Sequence, residues 1–131
     1  MGSSTGGVGM ALAGSGLRTK NVNTPDETRP FERGKVQLVD LGAGAVGLAT
    51  FEPGWRWSEH VKPIAGTDSC QASHVGYVIS GRMRIVMDDG SQTDIGPGDV
   101  MVCPAGHDAW TIGDEACVVV DWAGMADYAK S

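Results

Sequence analysis

Met83, Ile85 and Met87 alternate with Arg82, Arg84 and Val86 in "RMRIVM", the period of two that a strand with one buried face requires. Short runs rich in β-branched residues recur along the chain: "KVQLVDL" (35–41), "AVGLATF" (45–51), "HVGYVIS" (74–80), "RMRIVMD" (82–88), "DVMVC" (99–103), "AWTI" (109–112) and "CVVVDW" (117–122). Each is bounded by Gly, Pro or Asp, so each predicts a strand that ends in a turn. "DDG" at 88–90 predicts a hairpin turn, since Asp and Gly both tolerate positive φ. The 20 glycines are spread along the whole length without a strict repeat, as many tight turns would need. The pattern predicts an all-β domain, either a sandwich or a jelly-roll barrel.

Outside these runs the chain changes character. Residues 1–20 are Gly/Ser/Ala-rich and uncharged until Arg18, which predicts a flexible leader. Residues 21–34 contain "NTPDETRPFERG", polar and with two prolines, which reads as an extended N-terminal arm lying along a neighbouring surface. The barrel is expected over 35–123, with Trp122 packing a C-terminal tail, 124–131, on the body. At 131 residues the chain is long enough for one buried core and too short for two.

Charge and cysteine usage narrow the partners. Sixteen acidic against ten basic residues give a net charge of −6, with no Lys/Arg stripe to track a phosphate backbone, so nucleic acid is not expected as a partner. No apolar run approaches a membrane span and the first residues lack an export signal, so a cytoplasmic protein is expected. Cys70, Cys103 and Cys117 are odd in number and lack CxxC spacing, which points to reduced thiols. Cys103 and Cys117 lie in apolar runs as small hydrophobes; Cys70 lies four residues before His74.

The spacing of glycines, prolines and histidines is more specific. Gly54, five residues, His60; His74, six residues, Gly81; Gly98, five residues, Pro104, one residue, Gly106: this frame resembles the two short motifs of the cupin superfamily and spans roughly residues 35–122. The resemblance implies an all-β cupin jelly-roll barrel of short antiparallel strands. It also implies a metal site, but the positions matching the family's HxH and glutamate are His60, Lys62 and His74. The second-motif histidine falls on Ala109, the later asparagine on Gly113, and His107 stands two positions early.

All three histidines nevertheless fall at or beside the barrel mouth that the resemblance implies. The expected metal ligands are His74 and His107, which would share the lumen with Ala109 by strand parity, and His60 as a third. Three imidazoles would suit a divalent transition metal, Fe, Zn, Mn, Ni or Cu. The opposing reading has no cofactor, with His107 bonded to Asp108 and His60 exposed beside Glu59. Gly76 and Val78 share the face of His74, so the lumen beside it is expected to be roomy and apolar.

Substrate contacts are expected from Lys62, Trp55, Trp57, Tyr77, Arg84, Trp110 and Cys70, with Arg56 as a further cation for an anionic group. Cys70 would serve as ligand or nucleophile if a histidine lowers its pKa. No Ser-His-Asp order, phosphate-cradling loop or spaced carboxylate pair is present in the sequence. Two functions remain open. One is a metal-dependent enzyme, such as an oxygenase or isomerase, acting on a small organic molecule; the other is a non-catalytic small-ligand carrier or sensor without metal. In either case a homodimer is expected, with residues 21–34 added to a partner's sheet.

Overall fold

A computed structural model describes residues 16–130 of the chain, so most of the expected leader lies outside the described residues; residues 16–20 carry no regular structure. The alternating runs form strands β1 (Glu27–Phe31), β2 (Gly34–Asp40), β3 (Ala45–Phe51), β4 (His74–Ser80), β5 (Arg82–Met87), β6 (Gln92–Ile95), β7 (Val100–Cys103), β8 (His107–Ile112) and β9 (Cys117–Asp121). Two single-turn helices, α1 (Trp57–His60) and α2 (Lys62–Ala65), lie between β3 and β4. One sheet has six strands in the order β1-β2-β3-β9-β4-β7 and the other three, β6-β5-β8. Every pairing is antiparallel.

Side chains alternate in and out as the sequence pattern requires. In β3, β8 and β9 every second residue is buried, and the inward sets meet between the sheets as a core that includes Val36, Ala49, Phe51, Val78, Met83 and Val119. Each Val, Phe or Met side chain among them contributes about 1.5–3 kcal/mol on removal from water. The chain changes sheets at Gly81, between β4 and β5, where φ is 74° and a Cβ would run into the Ala116 carbonyl. Only glycine fits there.

Residues 21–34, expected as an extended arm, contribute a strand to this chain's own sheet. β1 pairs with this chain's own β2, from Glu27 opposite Leu38 to Phe31 opposite Gly34, and so forms the edge of the six-stranded sheet. The edge position explains how Pro30 is tolerated, because it needs no ladder donor on its open side. Arg29 and Phe31 point inward.

Beyond β9 the chain turns back across the barrel end. Trp122 stays half exposed, while Met125 and Tyr128 enter the barrel. Tyr128 meets Phe31 edge-on at 5.9 Å and Phe51 at 6.3 Å between ring centroids. The guanidinium of Arg29 donates from Nη1 to the carbonyls of Met125 (3.3 Å) and Tyr128 (2.6 Å), and on its other side binds Glu27. No helix among the described residues is long and apolar enough to cross a membrane.

Candidate metal centre

His74 opens β4 and His107 opens β8, each at an inward position, and their rings meet edge to face at 5.4 Å. The loop before β4 delivers Cys70 to the same point through an antiparallel bridge: the Cys70 N–H donates to the His107 carbonyl and the Gly106 N–H to the Cys70 carbonyl, both at 2.7 Å. One donor atom from each of Cys70, His74 and His107 lies within 4.8 Å of the other two, and all three residues are buried.

Both imidazoles are held from behind. His74 Nδ1 lies 2.6 Å from Asp121 Oδ2, and His107 Nδ1 lies 2.8 Å from the Pro104 carbonyl. A carbonyl and a carboxylate only accept, so both Nδ1 atoms carry the proton and each Nε2 is left for another partner. His74 Nε2 stands 4.0 Å from Cys70 Sγ. Asp121 is fixed in turn, its Oδ1 accepting from the Ala123 and Gly124 N–H groups at 2.8 and 2.9 Å. Residue 124 must be glycine for this turn, since a Cβ would press on the Ser73 carbonyl and the His74 ring.

The charges of the group follow from this packing. Burial pushes the Cys70 thiol up, but hydrogen bonds from His107 and His74 outweigh it and bring the pKa down to about 6. Burial likewise opposes charge on His74, yet Asp121 and then Cys70 raise it to about 9. His107 is raised to about 10 against its own burial by Cys103 and Cys70. The shifts thus run in the direction of a thiolate beside protonated imidazoles.

This donor set fits a transition metal. Two imidazoles oriented by a carboxylate and a carbonyl have the outer support that metal-binding histidines need, and Cys70 already favours the thiolate that a metal requires. Bonds of about 2.0–2.3 Å would draw the three donors together.

His60 does not join them. It ends α1, its Nδ1 accepts the Arg56 N–H at 3.0 Å, and its Nε2 faces Glu32 at 3.7 Å, so both nitrogens are turned to other partners. Lys62, on α2, is 44% exposed and lies 3.9 Å from Asp68, away from the cluster. Of the expected substrate contacts, Trp55 and Trp57 are buried and line the lumen, while Cys70 is buried and lines the outer groove beside the C-terminal segment. Three others face outward. Tyr77 is exposed beside Val100, Arg84 forms a two-point ion pair with Asp94, and Trp110 lies under the Arg56 guanidinium at 3.9 Å on the outer face of β8.

Nor is the lumen roomy. It is apolar as expected, but Met125 and Tyr128 fill it and leave about 30 Å³, space for one water molecule. A larger space than the lumen lies outside the C-terminal segment, a groove of about 440 Å³ lined by Val61, Gln71, Ser73 and residues of the 123–130 stretch, with Cys70, Trp57 and Tyr128 in its wall.

The cupin-domain family model matches residues 47–123 of the sequence. No curated protein matches it significantly. Among solved structures, the polyketide cyclase RemF from Streptomyces resistomycificus is similar with a TM-score of 0.59 and 19% identity, over 82% of this chain and 80% of that one. A cupin-superfamily sugar phosphate isomerase from Silicibacter pomeroyi also reaches 0.59, at 16% identity, over 83% and 76%. A variant of Bacillus subtilis oxalate decarboxylase gives 0.54 at 25% identity, over 79% of this chain but 29% of the decarboxylase. These likenesses carry the fold.

Proposed function

Because the chain belongs to the cupin family, we propose that it is a small metal-dependent cupin in which Cys70, His74 and His107 hold the ion and the barrel takes a small organic molecule. The observation that supports this most is the buried Cys/His/His group with both imidazoles fixed through Nδ1. A thiolate among the ligands moves the preference away from Mn and toward Zn or Cu, because soft sulfur suits those ions. When bound, the ion supplies a Lewis acid at its open position. The chain's own residues orient the imidazoles through Asp121 and Pro104, and Trp55, Trp57 and Met83 exclude water. No acidic side chain lines the lumen.

Elemental analysis of untagged protein tests the proposal. Stoichiometric zinc or copper is expected in the wild type and little in His74→Ala or Cys70→Ser, whereas equal content in all three would overturn it. A cobalt-loaded sample should show a thiolate-to-cobalt absorption band that Cys70→Ser abolishes.

One observation favours a second reading. The same residues form a thiol–imidazole–carboxylate chain, Cys70, His74 and Asp121, in which Cys70 would act as a nucleophile without metal. Protection of Cys70 from iodoacetamide by zinc favours the metal, while rapid alkylation with no metal uptake favours the nucleophile. A non-catalytic ligand carrier would show ligand-induced thermal stabilisation of metal-free protein with no product. We further propose a homodimer built on the outer face of β4 and β7, where Tyr77, Ile79, Val100 and Val102 are all exposed, in a cytoplasmic protein.

A further inference from the structure

Three observations converge on the segment after β9. Met125 and Tyr128 are its only deeply buried side chains, and together they reduce the lumen to about 30 Å³, while the groove on the segment's outer side holds about 440 Å³. Trp57 and Tyr128 line both spaces, so little more than these two rings and the Cys70 thiol separates the groove from the lumen. The segment has no helix or strand of its own, and Ala129 adopts φ 56°, a conformation that side-chain-bearing residues rarely take. Residues 122–124 are tied to Val75 and Asp121; beyond them, the hydrogen bonds holding the segment to the barrel come from the Arg29 guanidinium to two of its carbonyls.

The lumen also has an unanswered polar group. Trp55 lines it at 2% exposure, and its Nε1–H is the one buried side-chain nitrogen or oxygen among the described residues without a hydrogen-bond partner. Buried donors are ordinarily paired. Of the lumen lining, Met83, Ile85, Val119 and Phe51 offer no acceptor oxygen or nitrogen, and the polar members, His74, His107, Cys103 and Tyr128, make no hydrogen bond to the indole N–H.

We propose that residues 125–130 are a displaceable plug latched by Arg29, and that the molecule replacing Met125 and Tyr128 is compact, largely apolar and carries one acceptor oxygen for the Trp55 indole N–H. Withdrawal of the plug joins groove and lumen into one space open to the cluster. The proposal rests on the metal-site reading only for the reaction it would serve, since the plug and the donor exist whichever chemistry follows.

The experiment is a titration of ¹⁵N-labelled protein with acetophenone, and with ethylbenzene as the same skeleton lacking the oxygen. The Trp55 indole resonance is assigned by its absence from Trp55→Phe. Acetophenone should shift this resonance saturably, and should bind Arg29→Gln about tenfold tighter than wild type, because loss of the latch raises the fraction of open protein. Ethylbenzene should bind about tenfold more weakly than acetophenone, the ratio a hydrogen bond worth one decade would give. Met125→Ala, which opens the lumen without touching the latch, gives the same comparison if Arg29→Gln is unfolded by circular dichroism. An unmoved indole resonance, or equal affinity in wild type and the opened variant, would overturn the proposal. Parallel titrations on chelator-treated and zinc-loaded protein separate the two readings: absence of zinc binding leaves the indole shift in place, and absence of the shift leaves zinc binding in place.

Discussion

Asp121 is fully buried and touches no space that a substrate could enter, yet its carboxylate decides where His74 points. Asp121→Asn keeps the shape and removes the charge, and should weaken zinc binding by about 10–100-fold, the usual effect of losing such an outer partner; competition with a chromophoric chelator measures it. Zinc affinity should climb from about pH 6 to about pH 10, because the Cys70 thiol near 6 and the raised His74 and His107 imidazoliums near 9 and 10 must each lose a proton before they can bind. Lys62→Ala should leave zinc content unchanged, since Lys62 faces Asp68 and solvent. His74 and His107 were legible as inward residues from motif spacing and strand parity. Cys70 was legible only as a neighbour in sequence, because the bridge that carries it to His107 is a contact between segments far apart in the chain. Parity alone places Tyr77 opposite to His74 and Arg84 opposite to Met83, and the structure follows parity.

The elements divide by how much each buries. Strands such as β3, β4 and β9 bury alternate residues within apolar runs and announce themselves in the sequence. β1 buries only Arg29 and Phe31, and β6 only Ile95, so an edge strand of charged and proline residues reads as an arm. The two helical turns at 57–65 were missed as well; they are four residues each, too short to show a helical period. They also account for His60, since the helical turn carries it onto the Arg56 backbone rather than along a strand into the lumen. At the β4–β5 crossover, Gly81→Ala should destabilise the protein by at least about 1–2 kcal/mol from the left-handed backbone alone, with the Ala116 clash adding to it. Urea unfolding gives the value directly.

On the whole-molecule scale, the six-stranded sheet presents an outer face that solvent does not explain. Val100 and Val102 are 69% and 76% exposed on the edge strand β7, next to Tyr77 and Ile79 on β4. An apolar edge of this kind is a liability unless covered, and two copies related by a two-fold axis would cover it with the same surface on each side. Val102→Lys should convert a dimer to monomer in sedimentation velocity without changing zinc content; an unchanged sedimentation coefficient would exclude this face. The fold has one more consequence, in time rather than in space. The Arg29 bonds to Met125 and Tyr128 join residues 96 and 99 positions apart, the kind of long closure that adds chain entropy to the folding barrier. Strand pairings between near neighbours, such as β1 with β2 and β5 with β6, can form before it. A newly folding molecule would then pass through a stage with its sheets formed and its barrel still open, when an ion can reach Cys70, His74 and His107 with nothing to displace.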